Sequence, residues 1–240
     1  MRFVEVLKKK SEDNPGTRTP IIAFLGDSVT QGCFETYQRD GKMKVVFDSR
    51  EAYAEKVKSI LALLYPQAPV SVMNAGVNGS SATQGYVRLK RDVLAFQPDL
   101  LVVCFGLNDS NAEAEGIDTY RNALRDIFTT AKEAGIETIF MTPNMMNTDS
   151  SRVCKGEILE PLAEIFAKRQ KEGLFDAYME AAREVCREEN ITLCDCYAIW
   201  KQMYECGVDT TSLLANGLNH PIREMHELFA WQLVQTILND

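Results

Sequence analysis

The sequence predicts an α/β fold in which helices cover both faces of a parallel β-sheet. Two observations lead to this: short apolar segments recur along the 240-residue chain, and stretches with helical apolar spacing separate them. Strands that alternate with helices are typical of βαβ crossovers, which place the helices on the two faces of one sheet. The predicted class is therefore a three-layer α/β/α sandwich. The strand candidates lie near residues 20–25, 69–73, 99–105, 137–142 and 191–195.

The first strand candidate has the clearest pattern. Ile21 to Leu25 is an uninterrupted apolar run with the length of a buried strand, and Gly26 allows a sharp turn at its end. Asp27 and Ser28 follow directly. Because ligands bind at the carboxyl edge of an open parallel sheet, Ser28 is predicted to lie at that edge. Gly-Asp-Ser is also a common turn sequence, so this segment alone does not distinguish a nucleophile from a turn.

The helix candidates follow from apolar residues that repeat every three or four positions. One stretch lies between the first and second strands, another between the third and fourth, and a third follows Ile222. Each apolar face is predicted to pack on the sheet instead of binding a cofactor. The three faces consist of Tyr53, Val57, Ile60, Leu61 and Leu64; of Tyr120, Leu124, Ile127, Phe128 and Ala131; and of Met225, Phe229, Leu233 and Ile237.

Three polar segments further along the chain share the setting of Ser28. Residues 74–81 follow the second strand and contain glycines whose N–H groups can face an anion. Residues 106–109, Gly-Leu-Asn-Asp, follow the third strand, and residues 216–221, Asn-Gly-Leu-Asn-His-Pro, precede the last helix. Because the carboxyl ends of parallel strands meet at one edge, we expect these segments to converge there.

Together with residues 26–30, these segments resemble the four sequence blocks of the SGNH hydrolases, also called the GDSL esterase and lipase family. The order and spacing match, and the resemblance extends from about Pro20 to the end of the chain. It implies a flavodoxin-like sheet of five parallel strands. It also implies a serine ester hydrolase that works through an acyl-enzyme.

The resemblance assigns catalytic roles by motif. It implies that Ser28 attacks the ester carbonyl and that His220 is the base. It further implies an oxyanion hole formed by the N–H groups of Ser28 and Gly79 and by the side chain of Asn108. Serine chemistry agrees, since a hydroxyl needs an adjacent base to act as a nucleophile at neutral pH. The chain has only two histidines, and the second, His226, is predicted to be a structural or pocket-rim residue on the last helix.

One position departs from the family pattern. The family carries an aspartate three residues before the histidine, where this chain has Gly217. In a Ser-His-Asp triad that carboxylate fixes the tautomer of the histidine. A backbone carbonyl, the Asn216 oxygen or a carboxylate such as Asp209 could take its place, and we expect a Ser28–His220 dyad with a neutral acceptor over a full triad. The alternative is a catalytically impaired protein that binds a carbohydrate or an acylated ligand.

The substrate pocket is predicted from the loop after the fourth strand. Residues 142–148 mix apolar and amide side chains, and Asn144 and Met145 from this loop, with Asp27, are the candidate pocket residues. A purely structural role for the loop is an equal alternative. Residues 32–50, which are polar and aromatic, are predicted to form the opposite rim. No long apolar lid is present, so we expect short acyl esters as substrates, for instance O-acetyl groups on a carbohydrate.

Composition bounds the domain organisation and the location. With 45% hydrophobic residues, the chain suits a single domain over residues 20–240, preceded by a lead-in over residues 1–19, of which residues 11–19 are polar and turn-rich. The first residues lack a secretory apolar stretch, which favours the cytoplasm. The sequence contains no apolar run long enough to predict a membrane span.

Charge and motifs bound the partners. A net charge of −8 disfavours nucleic acid as a partner. Seven cysteines without a CxxC pair indicate reduced thiols, and no metal or cofactor motif is present. The predicted partner is a small-molecule ester, no cofactor is expected, and the oligomeric state stays open.

Overall fold

A central sheet of five parallel strands organises the protein. The computed structural model describes residues 2–239, so Met1 and Asp240, the outer ends of the predicted segments 1–19 and 20–240, lie outside it. The strands are β1 Ile21–Gly26, β2 Cys33–Arg39, β3 Lys42–Phe47, β4 Ser71–Gly76, β5 Leu100–Cys104, β6 Glu137–Met141 and β7 Thr192–Cys194. Their order in the parallel sheet is β4-β1-β5-β6-β7, while β2 and β3 form a separate hairpin. The predicted fold class and its flavodoxin-like strand order are confirmed.

Helices flank this sheet and bury their apolar faces. The helices are α1 Arg2–Glu12, α2 Ser28–Gln31, α3 Tyr53–Leu64, α4 Ala82–Asp92, α5 Ile117–Glu133, α6 Leu159–Lys171, α7 Leu174–Glu189, α8 Cys196–Glu205 and α9 Arg223–Asn239. The three apolar faces predicted from spacing lie on α3, α5 and α9 and are buried, apart from the partly exposed Leu64 and Met225. Within residues 2–239, no helix has the length and hydropathy that crossing a bilayer requires.

The first part of the amino-terminal segment is a helix that was not predicted from the sequence. It forms α1, and Phe3 and Leu7 on one face of this helix are fully buried in the core. The lead-in was predicted from the polar residues after position 10, whereas Phe3 and Leu7 have the spacing of a helix face. The following loop is bound to the helix, because Lys10 Nζ donates to the carbonyl oxygens of Asn14 and Thr17 at 2.5 and 2.6 Å.

Strand β1 lies between the two strands whose loops accompany Ser28. It pairs in parallel with β4 on one side and with β5 on the other, and Gly26 lies opposite Gly76 and Cys104. β4 extends three residues beyond the predicted strand, because Asn74, Ala75 and Gly76 continue the pairing with β1. The segments that follow β1, β4 and β5 therefore leave the sheet at the same level.

Residues 32–50, predicted only as a polar and aromatic rim, contain the β2–β3 hairpin. Its strands pair antiparallel around Asp40 and Gly41, whose φ angles are both positive, at 53° and 68°. An Asp-Gly pair between two strands is a strong signal for a two-residue hairpin turn, so the sequence carried the evidence for this element. The base of the hairpin, at Cys33 and Phe34, is buried and lies close to α2.

Candidate active site

Ser28 lies where β1 turns into a short helix. It is the first residue of α2, and the Asp27 carboxyl group caps that helix by accepting a hydrogen bond from Val29 N at 2.9 Å. The turn is tight, since a Cβ on Gly76 would lie 2.3 Å from Gln31 N, and only glycine lets α2 approach β4 this closely. The packing therefore fixes the Ser28 side chain at the carboxyl edge of the sheet.

The His220 ring joins Ser28 to the hairpin. Its Nε2 lies 2.9 Å from Ser28 Oγ, and its Nδ1 lies 3.0 Å from the backbone carbonyl oxygen of Phe34. Because a carbonyl oxygen can only accept, Nδ1 carries the ring proton and Nε2 is left to accept a hydrogen bond from the Ser28 hydroxyl. The ring is thus held in the tautomer that a general base for Ser28 requires.

The Asn216 side chain shapes the loop that carries His220 and does not contact the ring. Its Oδ1 accepts hydrogen bonds from the backbone N–H groups of Leu218, Asn219 and His220 at 2.9 to 3.0 Å. An oxygen that already accepts three N–H donors is not available to the imidazole. The Phe34 carbonyl, and not Asn216, is therefore the acceptor for His220 Nδ1. Asp209 is likewise engaged elsewhere, accepting a backbone N–H of the turn that it begins.

Gly217, at the position of the family aspartate, has no room for a side chain. Its φ is +64°, a left-handed conformation that favours glycine. A Cβ there would lie 2.6 Å from Ser151 Cβ and 2.8 Å from Val153 Cγ2. The loop around Ser151 occupies the space that a side chain at position 217 would need.

We therefore expect Gly217→Asp to destabilise the protein without giving His220 a carboxylate partner. The strain of a positive φ costs about 1–2 kcal/mol, and the overlap with Ser151 adds to it. Thermal unfolding measures the loss. Gly207→Asp is the matched control, because Gly207 has a φ of +86° but open space around its Cβ position. Equal melting temperatures for the two variants would contradict the steric part of this argument.

Three hydrogen-bond donors belong to Ser28 itself and to the loops that follow β4 and β5. Asn108 Nδ2 donates to Ser80 O at 3.1 Å and lies 3.4 Å from Asp27 Oδ2. Gly79 has a φ of +77°, and within residues 2–239 neither its N–H nor that of Ser28 has a hydrogen-bond partner. All three residues named for the oxyanion hole therefore carry a donor on the loops that converge at this edge.

Asp109, which was not singled out from the sequence, ties these loops together. Its Oδ1 accepts from Ala82 N at 2.9 Å, and its Oδ2 accepts from Gly106 N at 3.1 Å. One buried carboxyl group thus links the loop that bears Asn108 to the start of α4, three residues after Gly79. Burial raises the pKa of Asp109 to about 6. Its position next to Asn108 in the Gly-Leu-Asn-Asp segment was the available signal.

The residues proposed for the substrate pocket are enclosed by protein. Asn144 and Met145 are buried, and Asn144 Nδ2 donates to the carbonyl oxygens of Met145 and Asn219 at 2.7 and 2.9 Å. They support the His220 loop from behind instead of facing an opening. Asp27 is also buried, and burial raises its pKa to about 7, opposed by the hydrogen bond from Val29 N.

An open cavity of about 500 Å³ begins at Asn108 and extends between α4 and α5. Its lining is mostly polar and includes Ser81, Thr83, Asn111 and Thr119. Such a surface offers hydroxyl and amide groups as hydrogen-bond partners. Among the residues that the structure describes, no cluster of His, Cys, Asp and Glu is arranged to hold a metal ion.

The two histidines differ in their contacts. Burial lowers the pKa of His220 to about 4, although the hydrogen bond to Phe34 acts in the opposite direction. Burial also lowers the pKa of His226, to about 3, and its Nδ1 accepts a hydrogen bond from Tyr53 N at 3.1 Å. Only His220 contacts Ser28, so His226 joins α9 to the start of α3 and takes no part in the Ser28 pair.

Comparison with known proteins identifies relatives of this chain. Over 131 residues the chain is 26% identical to an acetylxylan esterase of Geobacillus stearothermophilus, and the match covers 51% of this chain and 58% of that protein. A crystal structure of an acetylxylan esterase from the same organism superposes with a TM-score of 0.68 at 20% identity, covering 92% of this chain and 95% of the other. A two-domain esterase active on acetylated mannans gives 0.62 at 20% identity, covering 97% and 52%. These likenesses between structures establish a shared fold.

The family itself follows from a match along most of the sequence. A model of the GDSL-like lipase/acylhydrolase family matches residues 24–228, which include all four segments that meet around Ser28. The resemblance predicted from those segments is confirmed. The chain belongs to the GDSL-like lipase/acylhydrolase family, a family of esterases.

Proposed function

We propose that this protein is a serine ester hydrolase that removes short acyl groups, above all O-acetyl groups of carbohydrates. The observation that carries the proposal is the 2.9 Å contact between Ser28 Oγ and His220 Nε2, in a ring whose other nitrogen is anchored. A serine hydroxyl with an adjacent, correctly protonated base is activated for attack on a carbonyl carbon. Within residues 2–239, the N–H groups of Ser28 and Gly79 are unpaired and available for the oxygen of that carbonyl. Asn108 Nδ2 joins them by turning one N–H away from Asp27 Oδ2, which lies 3.4 Å away.

The proposed reaction has two halves. Ser28 Oγ bonds to the ester carbonyl carbon as His220 Nε2 takes its proton, and the negative charge that develops on the carbonyl oxygen is stabilised by the three donors. His220 then returns the proton to the departing alcohol, which leaves an acyl group on Ser28. In the second half, water gives a proton to His220 as its oxygen bonds to the acyl carbon. The bond from that carbon to Ser28 Oγ then breaks, His220 returns the proton to Oγ, and the carboxylic acid leaves.

Two observations support a carbohydrate acetate as the substrate. The relatives are described as an acetylxylan esterase and an esterase active on acetylated mannans. The cavity that begins at Asn108 offers hydroxyl and amide groups, which can hydrogen-bond to the hydroxyl groups of a sugar. The match covers 58% of the acetylxylan esterase, and the activity of that protein supports the proposal.

A substrate panel tests the proposal. We expect turnover of acetylated xylo- and manno-oligosaccharides and of p-nitrophenyl acetate, with rates that fall as the acyl chain lengthens. An organophosphonate probe should label Ser28 in the native protein and not in Ser28→Ala. Absence of both turnover and labelling would favour the catalytically impaired, ligand-binding alternative, whereas a preference for lysophospholipids would overturn the carbohydrate assignment.

The pH profile provides an independent prediction. Since burial lowers the pKa of His220 to about 4, we expect kcat/KM to fall as the pH drops through about 4, far below the ordinary histidine value of 6.5. Protonated Nε2 cannot accept the Ser28 proton, so activity is present above this pH and lost below it.

The Asp27→Asn variant is the control for this profile. It removes a carboxyl group whose pKa is raised to about 7 and keeps an oxygen to cap Val29. An acid limb that stays near pH 4 in this variant belongs to His220. An acid limb near pH 6.5 in both proteins would contradict the prediction. Circular dichroism at each pH shows whether a loss of activity is due to unfolding.

We further propose that the protein acts in the cytoplasm. All seven cysteines are free, and six of them are buried, a pattern that suits a reducing compartment. Fractionation of the cells that make the protein, followed by detection with an antibody, tests this location.

A further inference from the structure

The ring of His220 takes its orientation from a backbone carbonyl, and that carbonyl must itself be held in place. It belongs to Phe34, near the start of β2, in a hairpin whose outer part is largely exposed. The main parallel sheet does not include this hairpin. The position of the acceptor therefore depends on the contacts that fasten the base of the hairpin to the His220 segment.

The guanidinium group of Arg223 contacts the side chains of both Phe34 and Glu35. Arg223 Nη1 and Nη2 lie 2.5 and 3.2 Å from the two carboxylate oxygens of Glu35, a forked pair. Arg223 Cζ also lies 4.2 Å from the centre of the Phe34 ring, within range of a cation–π contact. Arg223 thus holds the residue that supplies the carbonyl and the residue after it.

The position of Arg223 in the chain makes this contact specific to the site. It is the first residue of α9 and comes three residues after His220, with Pro221 between them. The same short segment therefore carries the imidazole and the group that grips its acceptor. A shift of the hairpin away from Arg223 would move the Phe34 oxygen away from His220 Nδ1.

We propose that Arg223 and Glu35 are a positioning pair that holds the Phe34 carbonyl against His220 and thereby selects the ring tautomer that serves Ser28. The pair takes over, through the main chain, the orienting task for which Gly217 leaves no carboxylate. Since the pair acts through the Phe34 carbonyl and the His220 ring, we expect it to affect turnover and not substrate affinity. The effect on turnover rests on the proposed esterase function, while the effect on the tautomer does not.

The kinetic test compares Arg223→Gln and Glu35→Gln with a matched ion pair elsewhere. Arg125 and Glu188 are 2.7 Å apart with 38% and 52% of their side chains exposed, close to the 33% and 44% of Arg223 and Glu35. We expect both site variants to lower kcat for p-nitrophenyl acetate by about ten- to a hundredfold with little change in KM. Arg125→Gln should leave both constants unchanged.

The structural test reads the His220 ring directly. Nitrogen-15 NMR of the histidine side chains should show Nδ1 protonated in the wild type and a mixture of Nδ1- and Nε2-protonated forms in Arg223→Gln. Glu35→Gln keeps the stacking of Arg223 on Phe34, and Arg223→Lys keeps the charge without the fork, so both should show smaller shifts in the same direction. Should Arg223→Gln fail to fold, these two variants carry the test.

The outcomes separate this inference from the proposed function. A wild-type kcat and an unchanged tautomer in folded Arg223→Gln or Glu35→Gln would overturn the positioning role. A parallel loss in Arg125→Gln would reduce the effect to general stability and overturn it as well. If no ester is turned over but the tautomer still shifts in the variants, the esterase proposal fails and the positioning role stands.

Discussion

Ser28→Ala, His220→Ala and the double variant are expected to lose ester turnover to nearly the same extent, roughly 10⁵- to 10⁶-fold in kcat. The reason is that the two side chains form one unit. Ser28 Oγ and His220 Nε2 are 2.9 Å apart, so removal of the base leaves the hydroxyl unactivated and removal of the hydroxyl leaves the base without a nucleophile. The measurement is kcat for p-nitrophenyl acetate in each variant, together with the melting temperature.

The control and the contradicting result for this prediction are both kinetic. Ser59→Ala removes a serine hydroxyl from the exposed side of α3, where it donates to Glu55 O, and should retain full activity. Losses that add up in the double variant would mean that Ser28 and His220 act independently. Such additivity would argue against a nucleophile and base acting in one step.

The second large effect is expected for Asn108→Ala, a loss of about a hundredfold to a thousandfold in kcat with little change in KM. A donor aimed at the developing negative charge stabilises the transition state more than the bound ester, so its removal changes turnover and not affinity. Asn108 is suited to this role because its amide is uncharged and its Nδ2 is oriented by Ser80 O at 3.1 Å.

Asn111→Ala is the matched control for Asn108. Asn111 lines the same cavity one 3₁₀ turn later, and its side chain accepts a hydrogen bond from Arg169 at 2.7 Å. We expect it to alter KM for acetylated oligosaccharides at most. An Asn108→Ala variant that raised KM with an unchanged kcat would identify Asn108 as a substrate-binding residue instead of an oxyanion donor.

The sequence predicted those parts of the site that depend on short segments and on the identity of their side chains. The apolar run before Gly26 located Ser28, and the scarcity of histidines reduced the base to His220 or His226. The four motif segments placed Asn108 and Gly79 at the same edge, and each lies on a loop that leaves the sheet there.

The partner of His220 Nδ1 could not be identified in this way. Every residue has a backbone carbonyl, so nothing in the amino-acid sequence distinguishes the carbonyl of Phe34 from the others. Its position depends on a hairpin that approaches from almost 190 residues away in the chain, which no local pattern reveals. Asn216 was the nearest polar side chain in sequence, but its oxygen is engaged by the turn that it shapes.

The enclosed position of Asn144 and Met145 was hidden for a related reason. Their loop leaves β6 at the expected edge, yet its amide groups turn inward to bond the His220 segment, with Asn144 donating to Asn219 O at 2.9 Å. A loop of mixed apolar and amide residues can line a cavity or fill one. Only the packing against residues 216–221 decides between the two.

The anchoring of the imidazole to a main-chain oxygen has a consequence for mutagenesis. A carboxylate partner can be deleted by one codon change, but an amide oxygen is present whichever amino acid occupies position 34. A saturation library at that position would therefore test the packing of the Phe34 side chain against Arg223. It would not remove the hydrogen bond between His220 Nδ1 and the main-chain oxygen. Any aligned relative could keep the same bond with an unrelated residue there, so a search for a shared third side chain would pass over it.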